Sequence, residues 1–99
     1  MAKLVVMSNP VDGKEEEYNR WYDDVHVPEL LTVPGIEAAQ RFKLKTGAET
    51  WNYLCIYEIG TSDPEAVLAD MRGRMAAGEF ERSDSIDMST GYMGLFEPR

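Results

Sequence analysis

The chain has 99 residues, and 18 acidic against 10 basic side chains leave a formal net charge of −8. This charge argues against nucleic-acid binding, because such affinity comes largely from Lys and Arg side chains that neutralise phosphates. The length predicts one domain over residues 1–99. No apolar run approaches the roughly 18 residues of a membrane helix, and the first ten residues lack the core of a signal peptide, so we expect a cytoplasmic protein without a membrane partner.

The first two predicted elements are a strand and a helix. Residues 3–9, KLVVMSN, are rich in β-branched side chains and end at a turn signal, Asn9-Pro10. A helix is predicted within residues 11–31, because three glutamates at 15–17 suit the positive end of a helix dipole. At 100° per residue its apolar side collects Tyr18, Trp21, Tyr22 and Val25.

The middle of the chain predicts two strands. After a turn at Pro34-Gly35, residues 36–45 alternate. The alternation places Ile36, Ala38, Phe42 and Leu44 on one face and Glu37, Arg41, Lys43 and Lys45 on the other. Residues 47–50, GAET, are predicted to connect this strand to the next one, within residues 51–59. The lone Cys55 lies in that strand and is predicted to be a small buried apolar residue.

A second helix is predicted within residues 61–80. Ser62 and Glu65 have the spacing of a capping box, and Gly78 suits the helix end. The predicted buried stripe consists of Val67, Leu68, Met71 and Met75. Residues 85–96, SIDMSTGYMGLF, predict a last strand.

The resulting order, β-α-β-β-α-β, favours an α+β fold: a ferredoxin-like sandwich with an antiparallel sheet and both helices on one face. The third strand, however, carries apolar side chains on both of its faces, since Leu54 and Ile56 alternate with Tyr53, Cys55 and Tyr57. The simplest cover for the second face is another copy of the same chain. We therefore expect a homodimer that packs sheet to sheet.

Residues 17–42, EYNRWYDDVHVPELLTVPGIEAAQRF, resemble the signature of the EthD-like branch of the dimeric α+β barrel superfamily. The matching pattern is N-x-W-Y, then H-x-P, then P-G, then an arginine-aromatic pair. These positions are Asn19, Trp21, Tyr22, His26, Pro28, Pro34, Gly35, Arg41 and Phe42. The resemblance implies a ferredoxin-like protomer whose sheet pairs with its twin into a barrel. It also implies a ligand pocket between sheet and helices or inside the barrel. Relatives in such a superfamily include proteins of ring-compound breakdown, muconolactone isomerases, aromatic polyketide cyclases and cofactor-free monooxygenases. Fold alone does not choose among these activities.

His26 is the only histidine in the chain, and it lies two residues before Pro28. Pro28 cannot donate to the carbonyl of Asp24, so a helix deflected there would expose the imidazole to a cavity. With a reference pKa near 6.5, an imidazole in that place can transfer a proton at neutral pH. The structural alternative is that His26 caps a broken helix. The resemblance favours the pocket, because family members carry this histidine toward the ligand cavity.

The other candidate residues also allow a functional and a structural role. Asn19, Tyr22 and His26 are spaced i, i+3 and i+7, so they can converge on one region, where His26 would move a proton while Asn19 and Tyr22 position an oxygen. The alternatives are an exposed Asn19 on the helix flank and a Tyr22 that belongs to the core. Arg41 can hold an anionic substituent, or it can be solvated or paired with Glu37 or Glu58. The remaining candidates for a substrate pocket, with the dimer core as their alternative location, are Tyr53, Tyr57, Met88, Tyr92 and Met93.

The sequence does not favour a metal site. His26 and Glu29 stand three residues apart beside two aspartates, but Pro28 interrupts the helix that would align them. Haem, which some barrels of this superfamily carry on a helical histidine, has no other support in the sequence. We expect no metal and no cofactor.

The sequence therefore predicts a cofactor-independent enzyme that acts on a small apolar ring compound by proton transfer. The reaction classes left open are isomerisation, cyclisation, elimination and oxygenation. The alternative is a non-catalytic dimeric ligand-binding or accessory protein of a catabolic pathway.

Overall fold

The computed structural model describes residues 1–47 and 50–99, which form a four-stranded antiparallel sheet and helices. The strands are β1 (Ala2–Ser8), β2 (Ile36–Lys43), β3 (Tyr53–Ile59) and β4 (Tyr92–Phe96). Their order in the sheet is β2-β3-β1-β4. The helical segments are α1 (Glu15–Trp21), a π-helical turn (Tyr22–His26), α2 (Val27–Leu30) and α3 (Pro64–Ala76). This arrangement confirms the predicted ferredoxin-like α+β sandwich.

The predicted connection at residues 47–50 includes Ala48 and Glu49, which lie outside the described residues. Among residues 1–47 and 50–99, no helix combines the length and the apolar character needed to cross a membrane.

The core lies between the helices and one face of the sheet. Alternate residues of the two central strands are fully buried there, including Leu4, Cys55, Tyr57 and Ile59. The helices contribute Tyr18, Tyr22, Leu30, Val67 and Met71. The prediction that Cys55 is a buried apolar residue is confirmed.

The opposite face of the sheet, which we call the free face, carries no helix. By strand register and alternation it consists of Lys3, Val5, Met7, Ala38, Gln40, Phe42, Leu54, Ile56, Glu58, Tyr92, Gly94 and Phe96. Large apolar side chains are exposed on it: Phe42 is 41%, Tyr92 39% and Phe96 49% accessible. The prediction that β3 is apolar on both faces is confirmed.

A register shift in β2 corrects the predicted division of that strand. Ile36 pairs with Ile59, but Ala38 pairs with the next residue along β3, Glu58, so one residue is extra on β2. A bulge of this kind changes which face the following side chains occupy. Ile36 therefore faces the helices, whereas Ala38 and Phe42 belong to the free face, and Arg41 points toward the helix layer.

The turn before β2 was correctly predicted. Gly35 adopts a φ of 96°, which disfavours any residue with a Cβ. A Cβ there would also lie 2.6 Å from Cγ2 of Val67, so α3 packs directly on this turn.

The start of α3 differs from the prediction. Asp63, not Ser62, is the N-cap, and its side chain accepts a hydrogen bond of 3.2 Å from the Ala66 amide. Pro64 follows in the first helical turn, where its missing N–H costs nothing. The helix ends as predicted, because Gly78 lies just beyond it with a φ of 76°.

The predicted buried stripe of α3 is only partly correct. Val67 and Met71 are buried and Leu68 packs against the core, but Met75 is 38% exposed. Met75 lies in the last turn of the helix, which ends at Ala76.

The last strand is shorter than predicted. Only Tyr92–Phe96 pairs with β1, and Ile86 makes an isolated bridge to Pro10. Between them the Asp87 carboxylate accepts hydrogen bonds from the Ser89 backbone and hydroxyl, at 3.0 and 2.6 Å. Aspartate and serine side chains that bond nearby groups in this way favour turns over strands.

Candidate functional site

The helix that carries His26 continues through Pro28. The backbone stays right-handed helical at Tyr22 (φ −63°, ψ −47°) and at Val27 (φ −60°, ψ −49°), and the helix reaches Leu30. The predicted deflection at Pro28 is therefore wrong.

The π-helical turn explains how the helix tolerates the proline. The Val27 amide donates to the carbonyl of Tyr22, five residues back, instead of four. A π-turn is one residue wider than an α-turn, so the proline ring avoids the clash with the carbonyl four residues earlier. The Leu31 amide then donates to the Val27 carbonyl at 3.0 Å, which restores the α-helical pattern. The turn sets the direction of His26, and the alternative that His26 caps a broken helix end loses its basis.

His26 is held between aromatic rings. Its ring stacks on Trp21 with a centroid distance of 4.5 Å and an interplanar angle of 22°. It meets Tyr22 edge to face at 5.0 Å. Nδ1 is buried and, among the described residues, has no hydrogen-bond partner.

The backbone of Glu81 is hydrogen-bonded to residues next to this stack. The Trp21 indole N–H donates to the Glu81 carbonyl at 3.2 Å. The Glu81 amide in turn donates to the Glu29 carboxylate at 3.0 Å. The position of the indole, and with it that of the imidazole, is therefore fixed from two sides.

Burial, with a smaller effect from the positive charge of Arg41, lowers the pKa of His26 to about 4. Both causes act in the same direction, because a low-dielectric surrounding and a nearby cation each disfavour the charged imidazolium. At neutral pH the imidazole is uncharged, and it can accept a proton or take part in neutral hydrogen bonds.

Arg41 lies at the centre of the helix–sheet seam. Its guanidinium is 4.3 Å from the centroid of the Tyr22 ring. Nη1 donates to Oδ1 of Asp23 and Nη2 to Oδ1 of Asn19, each at 2.8 Å. The two expected partners Glu37 and Glu58 do not hold it; Glu58 pairs with Lys3 at 2.7 Å. The β2 bulge accounts for the difference, since it turns Arg41 toward the helices.

Asn19 connects Arg41 to the next strand. Its Nδ2 donates to the Tyr53 hydroxyl at 3.1 Å, and that hydroxyl donates to the Glu15 carboxylate. The Tyr53 hydrogen bond, together with Lys43, lowers the pKa of Glu15. Asn19 is thus a positioning residue for Arg41, and its amide does not contact the imidazole of His26 through a hydrogen bond.

Tyr22 and Tyr57 are buried phenols. Burial is the main cause that raises the pKa of each hydroxyl well above its ordinary value. Both therefore remain protonated donors at physiological pH. The Tyr57 hydroxyl is buried without a hydrogen-bond partner of good geometry among the described residues.

The structure separates the predicted substrate residues into two groups. Arg41, Tyr53 and Tyr57 face the helix layer, as do the predicted catalytic residues. Tyr92 lies on the free face, where its ring is 5.7 Å from Trp51, and Met88 is 81% exposed in the turn before β4. Met93 is on the helix side of the edge strand, paired with Val6. Because the two groups lie on opposite sides of the sheet, a single pocket of one protomer cannot be lined by both.

Asp23 is the member of this site that the sequence does not identify, since it is expected there only as a metal ligand, yet it is the ion-pair partner of Arg41. Trp21 packs against the core, in agreement with its predicted place on the apolar side of the helix, and it also stacks on the imidazole. The spacing of Asn19 and Asp23, one helical turn apart, was the available signal for two side chains that bind one cation.

The helix-side residues offer one neutral imidazole, two protonated phenols and one paired guanidinium. Among the described residues, no cluster of three or more His, Cys, Asp or Glu side chains has the arrangement of a metal site. These groups can donate and accept hydrogen bonds, hold negative charge near Arg41 and move a proton at His26.

No family model and no curated protein matches this chain. Solved structures do match it over nearly its whole length. A candidate monooxygenase from Shewanella loihica PV-4 is 15% identical, with a TM-score of 0.66 over 99% of this chain and 93% of the other. An EthD family protein from Bacillus halodurans C-125 is 14% identical, with a TM-score of 0.61 over 100% and 99% of the two chains. A dimeric ferredoxin-like protein of unknown function from Jannaschia sp. CCS1 is 13% identical, with a TM-score of 0.58 over 98% of each chain.

Proposed function

From the ferredoxin-like α+β fold that this chain shares with an EthD family protein, we propose that it is a cofactor-independent enzyme for a small, largely apolar ring compound. The substrate is of aromatic, lactone or polyketide-like type, and the reaction transfers a proton during isomerisation, cyclisation, elimination or oxygenation. The setting we propose is the breakdown of such compounds in the cytoplasm.

The observation that carries this proposal is the buried, unpartnered Nδ1 of His26. Leaving a buried polar atom without a hydrogen bond costs about 1–3 kcal/mol, so such atoms call for an explanation beyond stability. A substrate hydroxyl or acidic C–H presented to this nitrogen would supply the missing partner.

The neighbouring groups give the other roles. A proton taken from the substrate leaves negative charge on a substrate oxygen, and Arg41 stabilises that charge electrostatically. The same anion would favour the protonated form of His26, which Arg41 alone disfavours. The Tyr22 hydroxyl, which stays protonated, would donate a hydrogen bond to the substrate oxygen. Asn19 and Asp23 hold Arg41 in place through their hydrogen bonds to its guanidinium.

Hydrogen–deuterium exchange tests the proton transfer without knowledge of the product. The purified protein is incubated in D2O with a panel of phenols, lactones and cyclic diketones, and loss of the acidic C–H signal is followed by NMR. We expect accelerated exchange for at least one compound. His26→Phe, which keeps an aromatic ring against Trp21, should slow that exchange by about 10²–10⁴-fold, the usual contribution of a general base.

Lys14→Ala is the matched control, because Lys14 makes a surface ion pair with Asp84 away from the imidazole. It should leave the exchange rate unchanged. A His26→Phe protein that is folded and exchanges the same compound at the wild-type rate would rule out the proposed role of His26.

A non-catalytic ligand-binding protein is the second candidate. It is favoured by the pKa of about 4 at His26, because an imidazole with so low a pKa is a weak base at neutral pH. In that case His26→Phe would change the affinity for a copurified compound, measured by calorimetry, while neither protein would exchange any compound of the panel.

We also propose that the protein is a homodimer that buries the free face. The exposed apolar residues of that face, Phe42 and Phe96 above all, support this assembly. The fold shared with a dimeric ferredoxin-like protein supports it as well.

A further inference from the structure

The stack of Trp21 on His26 depends on the π-helical turn. Side chains that meet on an α-helix stand three or four residues apart, whereas these two stand five apart. The π-turn bonds residues that are five apart, so it brings the two rings onto one side of the helix. The indole then covers one face of the imidazole, with 4.5 Å between the ring centroids. A group that fixes the indole therefore also fixes the burial of the imidazole.

The indole is held by one residue of the segment that follows α3. The Trp21 N–H donates to the Glu81 carbonyl at 3.2 Å. The Glu81 amide donates to both carboxylate oxygens of Glu29, at 3.0 and 3.2 Å. Glu81 thus connects a residue five positions before His26 with one three positions after it. Both contacts use the backbone of Glu81, so they do not depend on its side chain.

Glu29 makes the stronger of these two contacts. An amide that donates to a carboxylate forms a charge-assisted hydrogen bond, which is roughly twice as strong as a neutral one. From residue 80 to residue 84, within the part of the chain that the structure describes, the backbone is hydrogen-bonded to other segments only at Glu81. Without the carboxylate, the segment would keep only the neutral bond to the indole and the packing of Phe80 against the core.

We propose that Glu29 is a positioning residue for His26, which acts through the Glu81 backbone and the Trp21 ring. The carboxylate holds the Glu81 amide, the Glu81 carbonyl holds the indole, and the indole keeps water from one face of the imidazole. The effect on catalysis rests on the proposed function of His26, whereas the placement of the imidazole does not.

The pKa of His26 tests this chain of contacts, because two explanations predict opposite signs. Loss of a nearby carboxylate would by itself lower the pKa of the imidazole, since an anion favours the imidazolium. Release of the indole would raise it, because burial is the main cause of the low value. We therefore expect Glu29→Ala to raise the pKa above about 4, measured by NMR titration of the Cε1 proton. Arg41, whose charge also lowers the pKa, is kept in this variant.

Glu81→Ala is the matched control. It removes an equal charge from an exposed side chain of the same segment and leaves the backbone amide and carbonyl in place. The pKa of His26 should therefore stay at the wild-type value. Circular dichroism shows that both variants are folded.

Hydrogen exchange of the indole N–H gives a second measurement at pH 7. The resonances of Trp21 and Trp51 are followed by NMR in ¹⁵N-labelled protein and assigned with Trp21→Phe. Glu29→Ala should speed the exchange at Trp21 by about tenfold, as expected when a hydrogen bond to a charged group is lost. Trp51, whose N–H donates to the Thr90 carbonyl, should exchange at the wild-type rate. Glu29→Gln keeps an oxygen acceptor, so its rate at Trp21 should lie between those of the wild type and Glu29→Ala.

Activity separates this inference from the proposed function. For a compound that exchanges in D2O, Glu29→Ala should lower kcat without raising KM, because Glu29 positions His26 and does not bind the substrate. If no compound exchanges, the proposed function fails, and the two NMR measurements still decide the role of Glu29.

Three results in folded proteins would overturn the proposal. These are an unchanged or lower pKa of His26 in Glu29→Ala, wild-type exchange at Trp21 in the same variant, and equal effects from Glu81→Ala. The last result would mean that negative charge near the helix, and not contact through the backbone, sets the pKa of the imidazole.

Discussion

For the single residue His26, folding disfavours the protonated form of the imidazole. The folded chain surrounds it with two aromatic rings and places a guanidinium nearby, so the pKa of the imidazole falls to about 4. In the unfolded chain the pKa of histidine is about 6.5. Between these two values the unfolded state binds a proton that the folded state does not, and folding stability must fall as the pH falls.

This difference in pKa between the folded and unfolded chain predicts that His26 lowers the free energy of unfolding at acid pH. The stability due to the neutral imidazole is complete above about pH 6.5 and is lost as the pH falls toward 4; with a pKa of about 4 in the folded state, the loss is about 2 kcal/mol between pH 7.5 and pH 5. Urea unfolding at these two pH values measures it. The same comparison on His26→Phe removes the titration, and its loss over this range should be smaller by about that amount. Equal losses in both proteins would mean that His26 titrates normally in the folded chain.

Arg41 permits a second prediction at this scale. Since its charge is the second cause of the low pKa of His26, Arg41→Gln should raise the pKa of the imidazole, measured from the Cε1 proton by NMR titration. The value should stay below 6.5, because burial is the larger cause. Lys43→Gln, which removes a neighbouring charge of the same strand, is the control and should have a smaller effect. An unchanged pKa in Arg41→Gln would show that the guanidinium does not act on His26.

Among the helices and strands, two local irregularities place the side chains of the helix-side group: the π-helical turn and the bulge in β2. The π-helical turn places one extra residue before Pro28, which lets a single helix carry Asn19, Asp23 and His26 on the side of the sheet. The bulge in β2 has a similar effect on the strand, because it turns the Arg41 side chain toward those residues. Together the two irregularities bring Arg41 into contact with Asn19 and Asp23.

The cap of α3 gives a prediction for an element boundary. Asp63 accepts from the Ala66 amide, so Asp63→Ala should cost about 0.5–2 kcal/mol, the usual value of an N-cap. Ser62→Ala, one residue earlier, makes no side-chain cap and should change the free energy of unfolding by less than about 0.5 kcal/mol. Thermal or urea unfolding of the two variants decides between them. A larger loss in Ser62→Ala would restore the capping box that the sequence predicted.

At the scale of the whole molecule, the sheet has one face buried by helices and one that is not. The free face presents Val5, Ile56 and Phe96 beside a single ion pair, between Lys3 and Glu58. Exposed apolar surface of this extent is typical of an interface, and this surface is the basis for the proposed homodimer.

Light scattering tests this assembly. We expect a particle of twice the 11.2 kDa protomer mass. Ile56→Asp places a charge on the central strand of the free face and should give the protomer mass, with circular dichroism used to show that the variant is folded. Ala69→Asp adds the same charge on the exposed side of α3 and should remain a dimer. A wild-type particle of 11.2 kDa would exclude the dimer.

Local sequence patterns predict the order of the elements and much of the core. Alternation in the strands, the aromatic side of the first helix and the Pro-Gly turn depend on near neighbours, so the predictions for Tyr18, Cys55 and Gly35 are confirmed. Tyr57, predicted for a substrate pocket or the dimer core, lies instead in the protomer core between sheet and helices. The sequence also identified most of the helix-side group, since Asn19, Tyr22 and Arg41 meet as contacts of one seam.

The contacts that these residues make depend on the packing of distant segments. The π-helical turn and the β2 bulge each insert one residue into a regular pattern, and no local propensity distinguishes such an insertion from an uninterrupted helix or strand. The insertion in β2 changes the partner of Arg41 from a strand carboxylate to Asp23. The placement of Tyr92 on one side of the sheet and Tyr57 on the other likewise depends on strand order and register, which are set by contacts between residues far apart in the chain.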